Sequence, residues 1–208
     1  MSRLAIVPSL ALAACLLAPA EARAEMPPGE RWQELAFVYG SPAIIALPMA
    51  EDDFADLDAT WQWSLGGGYM LKPMDAFGVL VGGSFEHMIL NFDSRYAKGH
   101  HFRINPEVRL GYGPDRLFAY GLLGTGLTIG HYKFEDPTGI IGDFDQTDAG
   151  FNLQVGAGAM YMIWDSLAIG GELDADLSFM RVSDCENCAD RSYAIHTMGI
   201  KLLVGYQF

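Results

Sequence analysis

The last fifteen residues of the chain, 194–208, alternate between apolar and polar positions and close on an aromatic residue. One alternate set is almost wholly apolar and contains Met198, Ile200, Leu202, Val204, Tyr206 and Phe208. The other set is mostly polar or small and contains Thr197, Gly199, Lys201, Gly205 and Gln207. A period of two places the two sets on opposite faces of a β-strand. The pattern therefore predicts a terminal strand with one apolar and one mostly polar face.

Seven further segments carry this pattern with varying regularity, and they predict an all-β chain of eight strands. They are 33–47, 60–71, 76–90, 101–112, 117–134, 147–163 and 167–178. Short connections rich in Pro, Asp and Gly, at 72–75, 113–116 and around 165, alternate with longer polar ones at 50–59, 91–100, 135–146 and 181–191. Short turns at one end and long loops at the other are typical of an antiparallel up-and-down barrel.

Three of the segments leave register or membership open. Segment 33–47 contains Pro42, which cannot donate to a sheet ladder, and its alternation fades after Tyr39. It is included because the alternating connections require an even number of strands. Segments 76–90 and 117–134 have apolar residues on both parities, and a bulge near Leu122 and Leu123 could exchange the two faces of the second.

Two environments are compatible with alternating strands. A soluble barrel turns its apolar face inward, whereas a membrane barrel turns it toward lipid and encloses the polar face. Oppositely charged residues on the polar face favour the membrane arrangement, since a narrow interior requires paired charges. We expect an interior ionic cluster of Arg103, Glu107, Arg109, Glu172, Asp174, Asp176 and Lys201, with Glu86 as a further member.

Aromatic residues near both ends of the predicted strands favour the same arrangement, because such bands mark the two bilayer interfaces. The predicted girdle contains Trp61, Trp63, Tyr69, Tyr112, Tyr161, Tyr206 and Phe208. Phe118, Tyr120, Tyr132 and Tyr193 lie near the same strand ends and are assigned to it as well.

The N-terminus predicts an export signal. Arg3 supplies the positive charge, residues 4–17 the apolar stretch, and Ala22-Arg23-Ala24 a small-x-small cleavage site. We therefore expect a signal peptide at 1–24 and a barrel domain at 25–208. A competing interpretation, in which Leu12-Ala13-Ala14-Cys15 is a lipoprotein box and Cys15 is lipidated, stays open.

On its strand pattern, the glycine-rich run Ser64-Leu65-Gly66-Gly67-Gly68-Tyr69 and the ending Gly205-Tyr206-Gln207-Phe208, the chain resembles the small bacterial outer-membrane β-barrel family of OmpA barrel domains and OmpX-type proteins. The resemblance implies an eight-stranded antiparallel transmembrane barrel in the bacterial outer membrane, with short periplasmic turns and longer extracellular loops. It also implies contact with outer-membrane lipid and lipopolysaccharide, assembly through the C-terminal strand by the barrel-assembly machinery, and a monomer.

Charge and cysteine usage narrow the possibilities. A formal net charge of −13 argues against nucleic acid as a partner, since nucleic acid requires basic patches. Cys185 and Cys188 predict a small disulfide loop in an oxidising compartment. A metal site is the alternative, but two thiols without a neighbouring His or a second pair are a weak zinc set.

No catalytic, cofactor or metal residues are predicted. His87 and His196 lie on the predicted lipid face, but His196 is followed by Thr197 and no His-x-Ser arrangement occurs. His100 and His101 are adjacent, so a strand would point them to opposite faces. The long connections are acidic, yet their spacing matches no EF-hand loop.

Three functions remain compatible with the sequence. The first is a barrel with a filled polar interior and a structural or surface-interaction role. The second is a narrow, OmpW-like channel for small or apolar solutes, supported by Leu80, Met160, Met162 and Leu203 on the inner parity. The third is a soluble, lipocalin-like periplasmic binder with the two faces exchanged.

Overall fold

The computed structural model describes Trp32 and residues 36–74, 76–91, 97–134, 144–181 and 192–208, and it contains eight strands. They are β1 (Ala36–Ala50), β2 (Thr60–Met74), β3 (Phe77–Asn91), β4 (Ala97–Tyr112), β5 (Leu117–Phe134), β6 (Phe144–Met162), β7 (Leu167–Arg181) and β8 (Ser192–Gln207). Each strand pairs antiparallel with the next, and β8 pairs with β1 to close the barrel. The predicted eight-stranded up-and-down barrel is confirmed.

The two ends of the barrel differ in their connections, as the sequence indicates. At the end we call the turn end, short turns join β2 to β3, β4 to β5 and β6 to β7; Asp115, in the second of them, has a φ of 55°. At the opposite loop end, residues 51–59, 92–96, 135–143 and 182–191 connect the strands and lie outside the described residues.

The first strand is present but irregular at the proline. The register of β1 shifts by one residue against both of its neighbours. Against β2 the shift lies between Ser41 and Ile44, and against β8 it lies between Gly40 and Ile44, so both shifts enclose Pro42. A proline has no N–H to donate, so a bulge at this position avoids a broken ladder. A second shift, between Leu71 and Met74 of β2, brackets Pro73 in the same way.

The anticipated bulge in β5 does not occur. Its pairing with β6 runs without a shift from Leu117–Tyr161 to Phe134–Phe144. Leu122 is consequently buried inside the barrel, and Leu123 is 59% exposed on the outer face.

The strands extend further at the loop end than the sequence pattern predicts. Residues 97–100 belong to β4 and residues 144–146 to β6, although the pattern places both in loops. The strands contain 15 to 19 residues, whereas a tilted strand needs about 9–11 residues to cross the hydrocarbon core. The barrel wall is therefore long enough to continue beyond the apolar band.

The two faces of the wall have the polarity of a membrane barrel. Leu127, Ile200 and Leu173 are 65%, 61% and 61% exposed on the outside, while Arg103 and Lys201 are 1% and 3% exposed within. A soluble barrel has the opposite arrangement. Among the described residues, no helix is long and apolar enough to span a membrane.

Glycines permit close strand contact at specific points of the wall. A Cβ on Gly126 would lie 1.9 Å from the carbonyl oxygen of Ile104, and one on Gly82 would lie 2.0 Å from that of Gly67. No side chain fits at these distances without a backbone shift. Gly121 differs, because a Cβ there would lie 3.9 Å from its nearest neighbour, the carbonyl oxygen of Gly156.

Candidate functional site

The barrel interior is the candidate site, and its side chains form three layers from the turn end to the loop end. The turn-end layer is apolar and consists of Trp32, Phe37, Met70, Leu80, Phe118, Leu122, Met160, Met162, Ala168 and Leu203, with the rings of Tyr39 and Tyr120 at its inner edge. Trp32 is 2% exposed, and its ring centroid lies 5.9 Å from that of Phe37 and 5.4 Å from that of Phe118. Aromatic rings and thioethers thus fill this end of the lumen.

Two aromatic residues of this layer contradict the sequence assignment. The strand pattern assigns Phe118 and Tyr120 to the girdle, but they are 1% and 5% exposed inside the barrel. They share the inward parity of β5 with Leu122. Because the interior is apolar at the turn end, apolar residues occupy both parities there, and the sequence pattern does not separate the faces.

The middle layer, here the ionic layer, contains Glu86, Arg103, Glu107, Arg109, Glu172, Asp174, Asp176 and Lys201, each no more than 4% exposed. All seven residues of the predicted ionic cluster lie in it, together with Glu86. Its three cations face five carboxylates. Charges removed from water in this way are tolerated only when paired and hydrogen-bonded.

At the side of the ionic layer nearer the turn end, Arg109 of β4 reaches across the lumen to β7. Its Nη2 and Nε lie 3.1 Å and 3.3 Å from Oε2 of Glu172, and its Nη1 donates to Glu107. The Tyr120 hydroxyl donates to the same Glu172 oxygen at 2.8 Å, and the Tyr39 hydroxyl donates to Glu107. The Arg109 guanidinium also lies 4.0 Å from the ring centroid of Tyr39, within cation–π range.

Nearer the loop end, Lys201 of β8 and Arg103 of β4 bind the remaining carboxylates. The Lys201 ammonium contacts Glu86 of β3 across the lumen and lies 2.8 Å from Asp174 Oδ2. Arg103 Nη1 lies 2.9 Å from Asp176 Oδ2 and 3.7 Å from Glu86 Oε2. Glu86 is therefore shared by both cations.

Two glutamines also belong to this network, and the sequence pattern does not identify them as partners. Gln154 Nε2 donates to Glu86 at 3.1 Å and to Asp174 at 3.0 Å, while Gln62 Nε2 donates to Glu86 at 2.7 Å. Both occupy the polar parity of their strands, which is the only sequence signal for them. The carboxylates that they contact are determined by the order of the strands around the closed ring, which the pattern of one strand does not contain.

The third layer, at the loop end, combines apolar and aromatic side chains. Met88, Leu90 and Ile195 are each 1% exposed and pack against Tyr132 and Tyr193. The Tyr193 hydroxyl donates to Asp148 Oδ2 at 2.7 Å, and its oxygen lies 3.1 Å from the Tyr132 hydroxyl, which His101 also contacts. Tyr132 and Tyr193 thus face the lumen, contrary to their assignment to the girdle.

The seven residues of the predicted girdle lie outside the lumen. Trp61, Tyr69, Tyr112, Tyr161 and Phe208 are 43–60% exposed, and Trp63 and Tyr206 are partly exposed on the same outward parity. Trp61 and Trp63 are near the loop end, and the remaining five are near the turn end. The outer wall therefore carries predicted girdle residues near both of its ends, on several strands at the turn end and on β2 at the loop end.

Within the part of the chain that the structure describes, the histidines on the outer wall do not have the contacts of a catalytic relay. His87 Nδ1 accepts from Trp63 Nε1 at 3.0 Å, and His196 packs edge-on against Phe179. His131 Nδ1 lies 3.1 Å from Thr147 Oγ1 and 3.6 Å from Asp145 Oδ1. Both contacts use one ring nitrogen, whereas a proton relay requires the hydroxyl and the carboxylate on different nitrogens.

Other candidates lie partly or wholly outside the described residues. Among the described residues, no group of three or more His, Cys, Asp or Glu side chains is arranged to hold a metal ion. His100 and His101 point to opposite faces, as expected, since His101 is fully buried and His100 is on the outward parity. Cys185, Cys188, Cys15 and the predicted signal peptide lie outside the described residues.

Comparison with known proteins agrees with this architecture. The model of the outer membrane protein β-barrel domain family matches residues 9–208, and the chain therefore belongs to that family of bacterial outer-membrane barrels. No curated protein sequence matches the chain significantly.

Solved structures give the same fold at low sequence identity. The attachment invasion locus protein Ail of Yersinia pestis is similar with a TM-score of 0.53 and 15% identity, over 85% of this chain and 100% of Ail. Neisserial surface protein A has a TM-score of 0.51 and 9% identity, over 85% and 98% of the two chains. A major outer membrane protein of Thermus thermophilus has a TM-score of 0.50 and 13% identity, over 85% and 100%. The protein is thus an outer-membrane β-barrel. In bacterial barrels of this kind the short turns are periplasmic and the long connections are external.

Proposed function

We propose that the protein is a closed, non-conducting barrel that anchors and presents its external connections at the cell surface. The observation that carries this proposal is the set of ion pairs across the lumen, Arg109–Glu172, Arg103–Asp176 and Lys201–Glu86. Each pair joins strands that are not neighbours in the wall. Side chains therefore bridge the interior at the height where a channel would need to be open.

The layers above and below reinforce this interpretation. The turn-end layer closes the periplasmic side with packed rings and thioethers, and the loop-end layer places Tyr132 and Tyr193 across the external side. Opening a path would separate buried charges from their partners. Removing one partner of a buried pair costs about 3–5 kcal/mol.

Planar-bilayer recording of the purified protein tests the proposal. We expect no steady conductance from the wild type, with a known porin reconstituted in parallel as the positive control. An Arg109→Ala, Arg103→Ala double variant should show openings, because it removes two of the bridging side chains. Steady wild-type conductance at neutral pH would contradict a filled interior.

The apolar-solute channel is the less favoured function. Its four supporting side chains, Leu80, Met160, Met162 and Leu203, are each no more than 2% exposed and pack with Trp32 in the turn-end layer. A transport path requires these groups to line open space. Solute uptake that falls on substitution of Met160 and Met162, with an unchanged amount of folded barrel, would restore this function.

We also propose that the barrel has no enzymatic activity and that its interaction role belongs to the external end. The outer-wall histidines lack a relay arrangement, and the ionic-layer carboxylates are committed to cations and amides. A partner at the cell surface would meet the loop end. Shortening segment 136–142 should abolish binding of such a partner. The barrel should stay folded, which is seen as a difference in gel mobility between unboiled and boiled samples.

Assembly as a monomer through the last strand completes the proposal. The closed ring leaves no sheet edge for pairing with a second copy. At the terminus, Phe208 N–H donates to the Ala36 carbonyl at 3.0 Å, and its ring packs edge-on against Tyr206. We expect Phe208→Ser to reduce the amount of folded barrel in the outer membrane, whereas Phe151→Ser, at an equally outward aromatic, should not.

A further inference from the structure

The ionic layer contains more acidic than basic groups. If all of its carboxyl groups were ionised, five negative charges would face three positive ones. The layer lies between two apolar layers, so water does not screen the excess. Buried charge without a partner is so unfavourable that a group usually binds or releases a proton instead. The layer therefore needs further positive charge.

The hydrogen bonds of the layer indicate where this charge is needed. Among the described residues, three of its carboxylate oxygens are buried without a hydrogen-bond donor: Glu172 Oε1, Asp174 Oδ1 and Asp176 Oδ1. Glu172 Oε1 still lies 3.7 Å from the Lys201 ammonium. The Oδ2 atoms of Asp174 and Asp176 lie 2.8 Å from Lys201 and 2.9 Å from Arg103. Each aspartate thus has one oxygen on a cation and a second that accepts no hydrogen bond.

These two aspartates are neighbours on one face of a strand. Asp174 and Asp176 are two residues apart in β7, and both are buried in the lumen. Their carboxyl groups are within hydrogen-bonding reach of each other. Ionised carboxylates only accept hydrogen bonds, so a bond between the two requires a proton on one of them. Two carboxylates that share a site also repel each other when both are ionised.

The groups around the pair are consistent with a single proton. The charged side chains that face it from β3, β4, β7 and β8 are Glu86, Arg103, Glu172 and Lys201, and β6 contributes the Gln154 amide. With one proton on the pair, the pair and Glu86 carry two negative charges, which Arg103 and Lys201 balance. A metal ion in place of the proton would need several more oxygen ligands and would lie beside both cations.

We propose that Asp174 and Asp176 hold one proton between them at neutral pH, and that this proton makes the stability of the barrel sensitive to pH. Its loss at alkaline pH would leave three ionised carboxylates, those of Glu86, Asp174 and Asp176, around two cations, and the ionic layer should weaken. The proton belongs to the folded barrel whether or not the lumen conducts, so this proposal does not rest on the proposed function.

Infrared spectroscopy of the purified barrel in an ester-free detergent tests the proposal. The C=O stretching band of a protonated carboxyl group is separate from the bands of carboxylates, and solvent-exposed Asp and Glu are ionised at neutral pH. We expect the wild type to show this band at neutral pH. Asp174→Asn and Asp176→Asn should each abolish the contribution of the pair, because the amide that replaces one carboxyl group can donate to the other.

Glu107→Gln is the matched control, because Glu107 is a buried carboxylate of the same layer that contacts Arg109 and Tyr39 instead of the pair. The band of the pair should persist in this variant. A difference in gel mobility between unboiled and boiled samples shows that each variant is folded. A wild type without the band at neutral pH would overturn the proposal, as would a band that both aspartate variants keep and Glu107→Gln removes.

The pH dependence of unfolding is a second measurement. If the folded barrel holds one proton more than the unfolded chain, unfolding releases it, so the barrel becomes less stable as the pH rises. Relative to Asp176→Asn, the unfolding equilibrium constant of the wild type should rise about tenfold per pH unit until the pair ionises. Equal slopes for the two proteins would overturn the proposal. So would a wild-type stability that depends on sodium concentration instead of pH, because it would assign a metal cation to the pair.

Discussion

The guanidinium of Arg103 in β4 lies 2.9 Å from the carboxylate of Asp176 in β7, on the far side of the lumen. The pair is fully enclosed, with both side chains no more than 2% exposed. It joins two parts of the wall separated by β5 and β6, and it also brings Arg103 within 3.7 Å of Glu86 in β3. One side chain thus couples three strands through the barrel interior.

Removing this cation should destabilise the barrel strongly. Arg103→Met removes the salt-bridge partner of Asp176 and leaves Glu86 with Lys201 as its remaining cation. We expect this change to lower the free energy of unfolding by about 3–5 kcal/mol. Urea unfolding in lipid vesicles, followed by tryptophan fluorescence, measures this. Adding Asp176→Asn to Arg103→Met should recover part of the loss, because it removes the uncompensated charge. Arg181→Met, at an exposed cation, should change stability by less than about 0.5 kcal/mol; an equally small effect at Arg103 would mean that the pair does not form.

Two glycines of β5 should respond very differently to alanine. Gly126→Ala places a methyl group against the Ile104 carbonyl, so the β4–β5 contact must open; overpacking of this kind costs about 1–3 kcal/mol or more. Gly121→Ala meets only an ordinary contact and should be neutral or stabilise by about 0.4–1 kcal/mol through the unfolded chain. The same urea titration compares the two. Equal losses at both positions would contradict the close approach of β4 and β5 at Gly126.

Trp32 should report a protein interior, in contrast to the tryptophans of the outer wall. Single-tryptophan variants, with the other three tryptophans changed to Phe, are reconstituted in vesicles with brominated acyl chains. We expect strong quenching of Trp61, which is 52% exposed on the lipid-facing side, and little quenching of Trp32, which is 2% exposed. Both should be poorly quenched by aqueous acrylamide. Strong acrylamide quenching of Trp32 would show that the turn-end layer is open to water.

The sequence predicts the strands well where only one face is apolar. In β4, β6, β7 and β8 the alternation identifies inward residues such as Arg103, Gln154, Glu172 and Lys201, because a one-residue slip would expose charge to lipid. The signal is weaker in β5. There the interior at the turn end is itself apolar, so Phe118 and Tyr120 are indistinguishable by type from residues of the aromatic girdle.

The sequence pattern does not predict which side chains contact each other across the lumen, and the reason is different. Alternation says that Arg109 and Glu172 both face inward, but their contact depends on the relative height of β4 and β7 around the closed ring. That height is set by the stagger of every intervening strand pair, including the shift beside Pro42. The inclusion of Trp32 in the turn-end layer has no periodic signal at all, because it precedes β1.

The central claim is that apolar side chains face lipid while the ionic ones are enclosed, and spin labels on both faces test it most directly. Labels at Val108 and Leu202 on the outer wall, and at Ser84 and Thr128 on the inner parity, are introduced into a chain whose cysteines are replaced by serine, in lipid vesicles. The account predicts frequent collision with oxygen and rare collision with a water-soluble nickel complex at Val108 and Leu202, and rare collision with both at Ser84 and Thr128. Labels at Val108 and Leu202 that are shielded from both reagents, with Ser84 and Thr128 freely accessible to nickel, would contradict it.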